Sequence, residues 1–332
     1  GPGRSSAATS PPVAVFSAPG RAVAVTTAPG DGLVLLTWTR PLLDGNTPIL
    51  DYAVDYKVAT DDEWTALDHP QSTITARTVT GLRNGVAYDF RVLTINAAGA
   101  SAPPLYRVTE TPARVPDPPE ALLEADADSA VTLAWAAPTF DGGAAITDYT
   151  VEYSAAGGPW TAAEHPAGAT TGMRVSGLDN GTAYRFRVAA VNDMGTGARS
   201  MTVDGSPFTR PGPVRGPVAV GSLTSVALAW KPPADDGGRP IIGYRVDYRL
   251  DSAPEWTRAD DALTRATTAT VSDLVTDAAY DFQMLRVVGV DASTPVIPAS
   301  SNDQLGDGDA VILAGYGNMN SGGQLTDSPG RR

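Results

Sequence analysis

Apolar and polar residues alternate with period two along much of this chain. In DYAVDYKV, Tyr52, Val54 and Tyr56 fall on one face of an extended strand, and Asp51, Asp55 and Lys57 fall on the other. TDYTVEYS and IGYRVDYR repeat the pattern with Tyr149, Val151, Tyr153 and Tyr244, Val246, Tyr248. Each predicts a half-buried antiparallel strand with one solvated face. AYDFRVLTIN, AYRFRVAAVN and AYDFQMLRVVGV are longer and rich in β-branched and aromatic residues, so they predict strands near a sheet centre. PLLDGNTP, PTFDGGAA and PPADDGGRP read as loops: Asp-Gly pairs supply left-handed turn conformations and proline stops the preceding strand. The predicted fold class is all-β.

The alternation is itself repeated. Trp38, Trp135 and Trp230 sit in LLTWTRP, TLAWAAP and ALAWKPP, 97 and 95 residues apart, and Trp64, Trp160 and Trp256 recur at intervals of 96. Together these are all six tryptophans. Leu82, Leu178 and Leu274 each precede a tyrosine by six residues, Tyr88, Tyr184 and Tyr280. Proline clusters at Pro19, at Pro116, Pro118 and Pro119, and at Pro211 and Pro213 mark the starts of repeats; they stiffen the connectors and prevent strand pairing across the joints.

Composition narrows the function classes. The 332 residues allow two or three domains, and Gly 34 with Pro 28 fits a turn-rich β-protein. No apolar run approaches the ~18 to 20 residues that span a bilayer, so membrane insertion is not expected. A formal charge of −13 repels phosphate backbones, which makes nucleic acid a poor partner. Zero cysteines remove disulfides, thiolate zinc sites and cysteine nucleophiles, and two histidines leave little imidazole chemistry.

The repeat resembles the fibronectin type III family. The marks are the Trp of the second strand, the Tyr-x-Val-x-Tyr strand after a Pro-x-x-Asp-Gly loop, and Gly-Leu-x-x-x-x-x-Tyr-x-Phe-x-Val leading to Asn-x-x-Gly. The resemblance implies three tandem immunoglobulin-like β-sandwiches in an elongated array, with Tyr88, Tyr184 and Tyr280 forming tyrosine corners. Its divisions are an N-terminal extension at 1–16, modules at 17–113, 114–209 and 210–303, and a C-terminal segment at 304–332. Each module is expected to gather its own indoles and corner phenol into a separate interior. The third departs from the pattern: Asp273 replaces Gly81 and Gly177, Thr276-Asp277 replaces the Asn-Gly turns at 84–85 and 180–181, and Asp291 replaces Asn96 and Asn192, so its last loop is expected to be altered.

Candidate sites fare poorly. His69 and His165 are 96 apart in LDHP and EHP, which makes them one position of two modules and excludes a shared metal. Asp61-Asp62-Glu63, Asp235-Asp236 and Asp260-Asp261 lack the EF-hand pattern and read as solvated loops. Asn180-Gly181-Thr182 fits a glycosylation sequon but also supplies a turn. There is no Arg-Gly-Asp tripeptide. Loops 96–104, 192–200 and 291–300 occupy positions where the family often places binding residues. No catalytic, cofactor-binding or metal residue is assigned, and no cofactor.

Beyond about 303 the pattern changes. Val311–Ala314 predicts a strand followed by Gly315-Tyr316-Gly317-Asn318-Met319. This resembles the first block of the SGNH carbohydrate esterases, Gly-Gln-Ser-Asn-Met, with Gly317 where the nucleophilic serine would stand and no histidine following. The segment reads either as the start of a truncated or inactivated esterase-like domain or as a Gly-rich extension. At the front, residues 13–25 are cut by Pro19, Gly20 and Arg21 and show no signal-peptide pattern, and both ends look like cuts through a larger polypeptide.

The expected function is that of a non-enzymatic modular spacer or attachment protein, outside the cell or on a virion surface, in a phage tail or a secreted bacterial protein. Its partners would be other protein subunits or a cell-surface glycan or polymer. The alternative is the non-catalytic arm of a carbohydrate esterase.

Overall fold

A computed structural model describes residues 15–105, 107–260, 263–288 and 310–313. Among the described residues all regular structure is β. Module 1 contains β1 (Val23–Gly30), β2 (Leu33–Thr39), β3 (Ile49–Val58), β4 (Thr65–Ala66), β5 (Ala76–Thr80), β6 (Tyr88–Asn96), β7 (Gly99–Ala100) and β8 (Val108–Glu110). Module 2 repeats the order with β9 (Glu120–Ala127), β10 (Ala130–Ala136), β11 (Asp148–Ala155), β12 (Thr161–Ala162), β13 (Gly172–Ser176), β14 (Tyr184–Asn192), β15 (Gly195–Arg199) and β16 (Val203–Gly205). Module 3 has β17 (Arg215–Gly221), β18 (Val226–Lys231), β19 (Ile241–Leu250), β20 (Thr257–Arg258), β21 (Thr268–Val271), β22 (Tyr280–Val288) and β23 (Ala310–Leu313).

Each module is two antiparallel sheets. In module 1 the orders are β1-β2-β5 and β4-β3-β6-β7, with β8 also on β6; modules 2 and 3 follow with β9-β10-β13 and β12-β11-β14-β15, then β17-β18-β21 and β20-β19-β22-β23. The long pair is in one register throughout: Val58 faces Tyr88, Ala155 faces Tyr184 and Leu250 faces Tyr280. The strand expected at 311–314 is observed at 310–313, paired with β22, so it belongs to the sheet of module 3. Gly317 and the rest of the esterase-like motif lie outside the described residues, as does the loop at 291–300.

Three separate cores follow. The first gathers Val34, Leu36, Trp38, Tyr52, Val54 and Phe90, the second Val131, Leu133, Trp135, Tyr149, Val151 and Phe186, the third Val226, Leu228, Trp230, Tyr244, Val246 and Phe282. In each the tryptophan meets the first tyrosine of the next strand edge-on, with centroids 5.4, 5.3 and 5.5 Å apart. The tyrosine corner is present in all three: the hydroxyls of Tyr88, Tyr184 and Tyr280 accept the backbone N–H of Arg83, Asp179 and Val275 at 3.2, 3.0 and 2.9 Å. Module 3 keeps the turn without glycine, since Asp273 and Asp277 adopt φ of 60° and 62° where Gly81 and Gly85 have 76° and 78°.

Two expectations fail. Trp64, Trp160 and Trp256 belong to none of the three cores; they lie half-buried on the outer face of the larger sheets, beneath basic side chains. The outer face of β3 is consequently not solvated. Asp55 and Lys57 are each only 8 % exposed, because the indole of Trp64 lies against that face.

Candidate binding surface

The outer face of the larger sheet gathers an indole, basic side chains and carboxylates in each module. In module 1, Arg91 of β6 stacks its guanidinium 4.4 Å from the centre of the Trp64 ring and pairs with Asp55 of β3 at 2.7 Å. Lys57 sits 5.6 Å from the same ring and 3.3 Å from Asp89. In module 2, Arg187 lies 3.9 Å over Trp160 and 2.7 Å from Glu152, which also receives Arg199 at 3.1 Å. In module 3, Gln283 occupies the Arg91 position and donates to Asp247 at 3.1 Å, while the cation moves to Arg249, 4.6 Å over Trp256 and 2.9 Å from Asp281. The basic residue changes strand but every indole keeps one.

These stacks are closed electrostatically. Hydrogen bonds from Arg199, and then from Arg187, hold the Glu152 carboxyl below the usual carboxylate range. Each cation named here is therefore spent on a carboxylate of its own sheet, and the face presents an indole edge bordered by neutralised charge.

The histidines and the Asp235-Asp236 pair bond within their own modules. His69 and His165 donate from Nδ1 to the carbonyls of Pro70 and Pro166 at 3.0 and 2.9 Å, with Asp51 and Asp148 at 4.0 and 3.9 Å. The same aspartates accept the N–H of Ser72 and Gly168, so aspartate and histidine pin one loop to one strand in each module. Module 3 has Gly243 at the aspartate position, and Leu263 packs against it. An open groove of about 420 Å³ lies beside His69, between Leu35, Leu67 and Arg77. Asp235 and Asp236 accept the N–H groups of Gly237 and Gly238 and shape their own turn. Among the described residues no group of three or more His, Asp or Glu could hold a metal.

Of the three loops expected to carry binding residues, the two at 96–104 and 192–200 fall within the described residues, and each begins with a tight turn. Asn96 pairs with Gly99 and Asn192 with Gly195 across two-residue turns. Each asparagine amide is consumed, Asn96 donating to the carbonyls of Ser17 and Asp44 and Asn192 to those of Arg114 and Asp141. Asn180 is likewise engaged, donating to Asp128 and accepting from Ser129 N–H, which bears out its turn role. Sequence reasoning missed the stacked outer face. Its signal was the recurrence of a basic residue opposite Trp64, Trp160 and Trp256.

Three immunoglobulin-like sandwiches in tandem, with the charged clusters of their outer sheet faces closed within each module, define the class: a modular β-array. The chain belongs to the fibronectin type III family, whose domain model matches residues 17–110, 117–206 and 212–299. It is 32% identical over 302 residues to human Myomesin-2 and 30% identical over 300 residues to chicken "M-protein, striated muscle"; these alignments cover 85% and 86% of this chain. The chain spans about a fifth of the length of both relatives, 20% in each case. Among solved structures, the chicken CNTN1 FN1-FN3 domains match with 18% identity over 81% of this chain and 93% of that one, at a TM-score of 0.30. No helix among the described residues is long and apolar enough to cross a membrane.

Proposed function

We propose that this chain is a non-catalytic spacer that sets a distance and presents sheet faces to another protein. The observation that supports this best is the fate of the titratable clusters: His69, His165, Asp235 and the carboxylates beside the stacked indoles are each tied to a backbone or a basic group of their own module. Muscle proteins among the relatives favour a protein partner over a glycan. Placement on a cell or virion surface rests on acidic, cysteine-free modules standing beside the esterase-like block at 311–319, and the alternative of an esterase arm rests on that block; both stand within this proposal.

Strands of up to 10 residues at roughly 3.3 Å per residue give about 33 Å per module and about 100 Å for three end to end. Small-angle X-ray scattering should return that length, and the purified chain should turn over no acetylated sugar. Ester hydrolysis, or a particle folded back to the length of one or two modules, would overturn the reading.

A further inference from the structure

The two joints between modules are built alike. At the first, Asn84-Gly85 in the turn before β6 meets Gly142-Gly143 in the turn before β11; at the second, Asn180-Gly181 meets Gly237-Gly238. The backbones touch directly. A Cβ on Gly143 would stand 2.3 Å from Gly85 N and 2.9 Å from the Asn84 carbonyl carbon, and one on Gly238 would stand 2.3 Å from Gly181 N and 2.8 Å from that carbon of Asn180. No side chain fits at either point.

The connecting residues carry no slack. The Pro112 carbonyl accepts Gly85 N–H at 2.9 Å, Ala113 N–H donates back to Gly30 at 3.2 Å, and Arg114 N–H donates forward to Gly142 at 2.9 Å. The second joint repeats this with Gly181 to Pro207, Phe208 to Ala127 and Thr209 to Gly237, at 2.8, 3.2 and 2.8 Å. Three consecutive residues are thus bonded to the module behind and then to the module ahead, unlike a flexible linker whose backbone is solvated. The second joint adds Arg239, whose guanidinium lies 3.6 Å over Phe208 and 3.0 Å from Asp126 of the preceding module.

Position 46 shows that the glycines serve the contact rather than the turn. Asn46 occupies in module 1 the place of Gly143 and Gly238 and adopts φ 63° with a full side chain. The turn accepts asparagine; the joint does not.

We propose that the Asn-Gly pole of modules 1 and 2 is a specific receptor for the Gly-Gly turn of the module that follows, and that it locks the two sandwiches in one orientation. The partner it fits is a β-sandwich that presents two side-chain-free residues between its second and third strands. The proposal deepens the spacer reading above, since a spacer with locked joints transmits direction as well as distance.

Because the chain has no cysteine, nitroxide pairs can be placed cleanly. Asp68→Cys with Glu164→Cys reports the first joint, and Glu164→Cys with Glu255→Cys the second, all at exposed positions. Double electron–electron resonance should give one narrow distance distribution for each pair. Gly143→Asn should broaden the first distribution and leave the second unchanged, and Gly238→Asn should do the reverse. Insertion of two glycines between Pro112 and Ala113 leaves both turns intact and should also broaden the first. Broad distributions in the unmodified chain, or a first distribution that stays narrow in both Gly143→Asn and the insertion, would overturn the proposal. Neither result depends on a binding partner or on catalysis, so failure here is distinguishable from failure of the spacer reading.

Discussion

Replacing Arg187 by alanine removes two interactions at once from the outer face of module 2: a guanidinium 3.9 Å above Trp160 and an ion pair at 2.7 Å with Glu152. The stack contributes about 0.5–2 kcal/mol and a hydrogen bond to a charged group about 1.5–3 kcal/mol. Both side chains keep some solvent contact, at 26% and 16% exposure, which reduces the sum. Glu152 is not orphaned, since Arg199 remains 3.1 Å away, so no unpaired buried charge is left behind. The expected loss is about 2–3 kcal/mol, confined to the module-2 unfolding transition. Arg199→Ala, with that side chain 43% exposed, should cost under about 1 kcal/mol. Arg187→Lys keeps the charge but not the planar face, and should recover only part of the loss. Calorimetry of the three variants tests the ranking. Equal losses for Arg187→Ala and Arg199→Ala, or full recovery by lysine, would refute the stacked role.

Other perturbations have equally definite outcomes. Burial, then the charge of Asp126, raises the Glu124 carboxyl from its ordinary 4.5 to about 7, against the opposing pull of Arg239. Module 2 should therefore be most stable below about pH 4.5 with respect to this group and lose up to about 3 kcal/mol as pH rises to 7; Glu124→Gln should abolish that slope in urea titrations at stepped pH, and an unchanged slope would contradict it. Tyr184→Phe strands the Asp179 N–H and should destabilise module 2 by about 1–3 kcal/mol in the same titrations, leaving modules 1 and 3 unaltered. Arg239→Ala removes the stack on Phe208 and the ion pair with Asp126, and should loosen only the second joint, read as a broadening of the second spin-label distance alone.

Much of the fold was legible because its signals are local and threefold. The alternation of Tyr52, Val54 and Tyr56 and the six-residue step from Leu82 to Tyr88 recur at a fixed period, so each copy supports the others. The outer-face tryptophans were misplaced because indole hydrophobicity alone argues for a core, whereas a half-exposed ring can instead be covered by stacked cations from its own sheet. The joints could not be read at all from local pattern. Gly85 and Gly143 are 58 residues apart, and the contrast between Asn46 and Gly143 acquires meaning only when one module's turn is seen against the next. Asp55 and Lys57 looked solvated for a related reason: period two assigns them to the outer face but does not reveal that Trp64 covers it.

Separate closure of the three cores is tested most directly by hydrogen exchange of the full chain carrying Trp135→Ala. That indole is 7% exposed and edge-on to Tyr149, and its removal should cost about 3–5 kcal/mol, enough to leave module 2 marginal. Protection should collapse in β10, β11 and β14 and persist in β2, β3 and β6 and in β18, β19 and β22. Parallel loss of protection in all three sets of strands would mean one shared cooperative unit and would contradict three separately closed sandwiches.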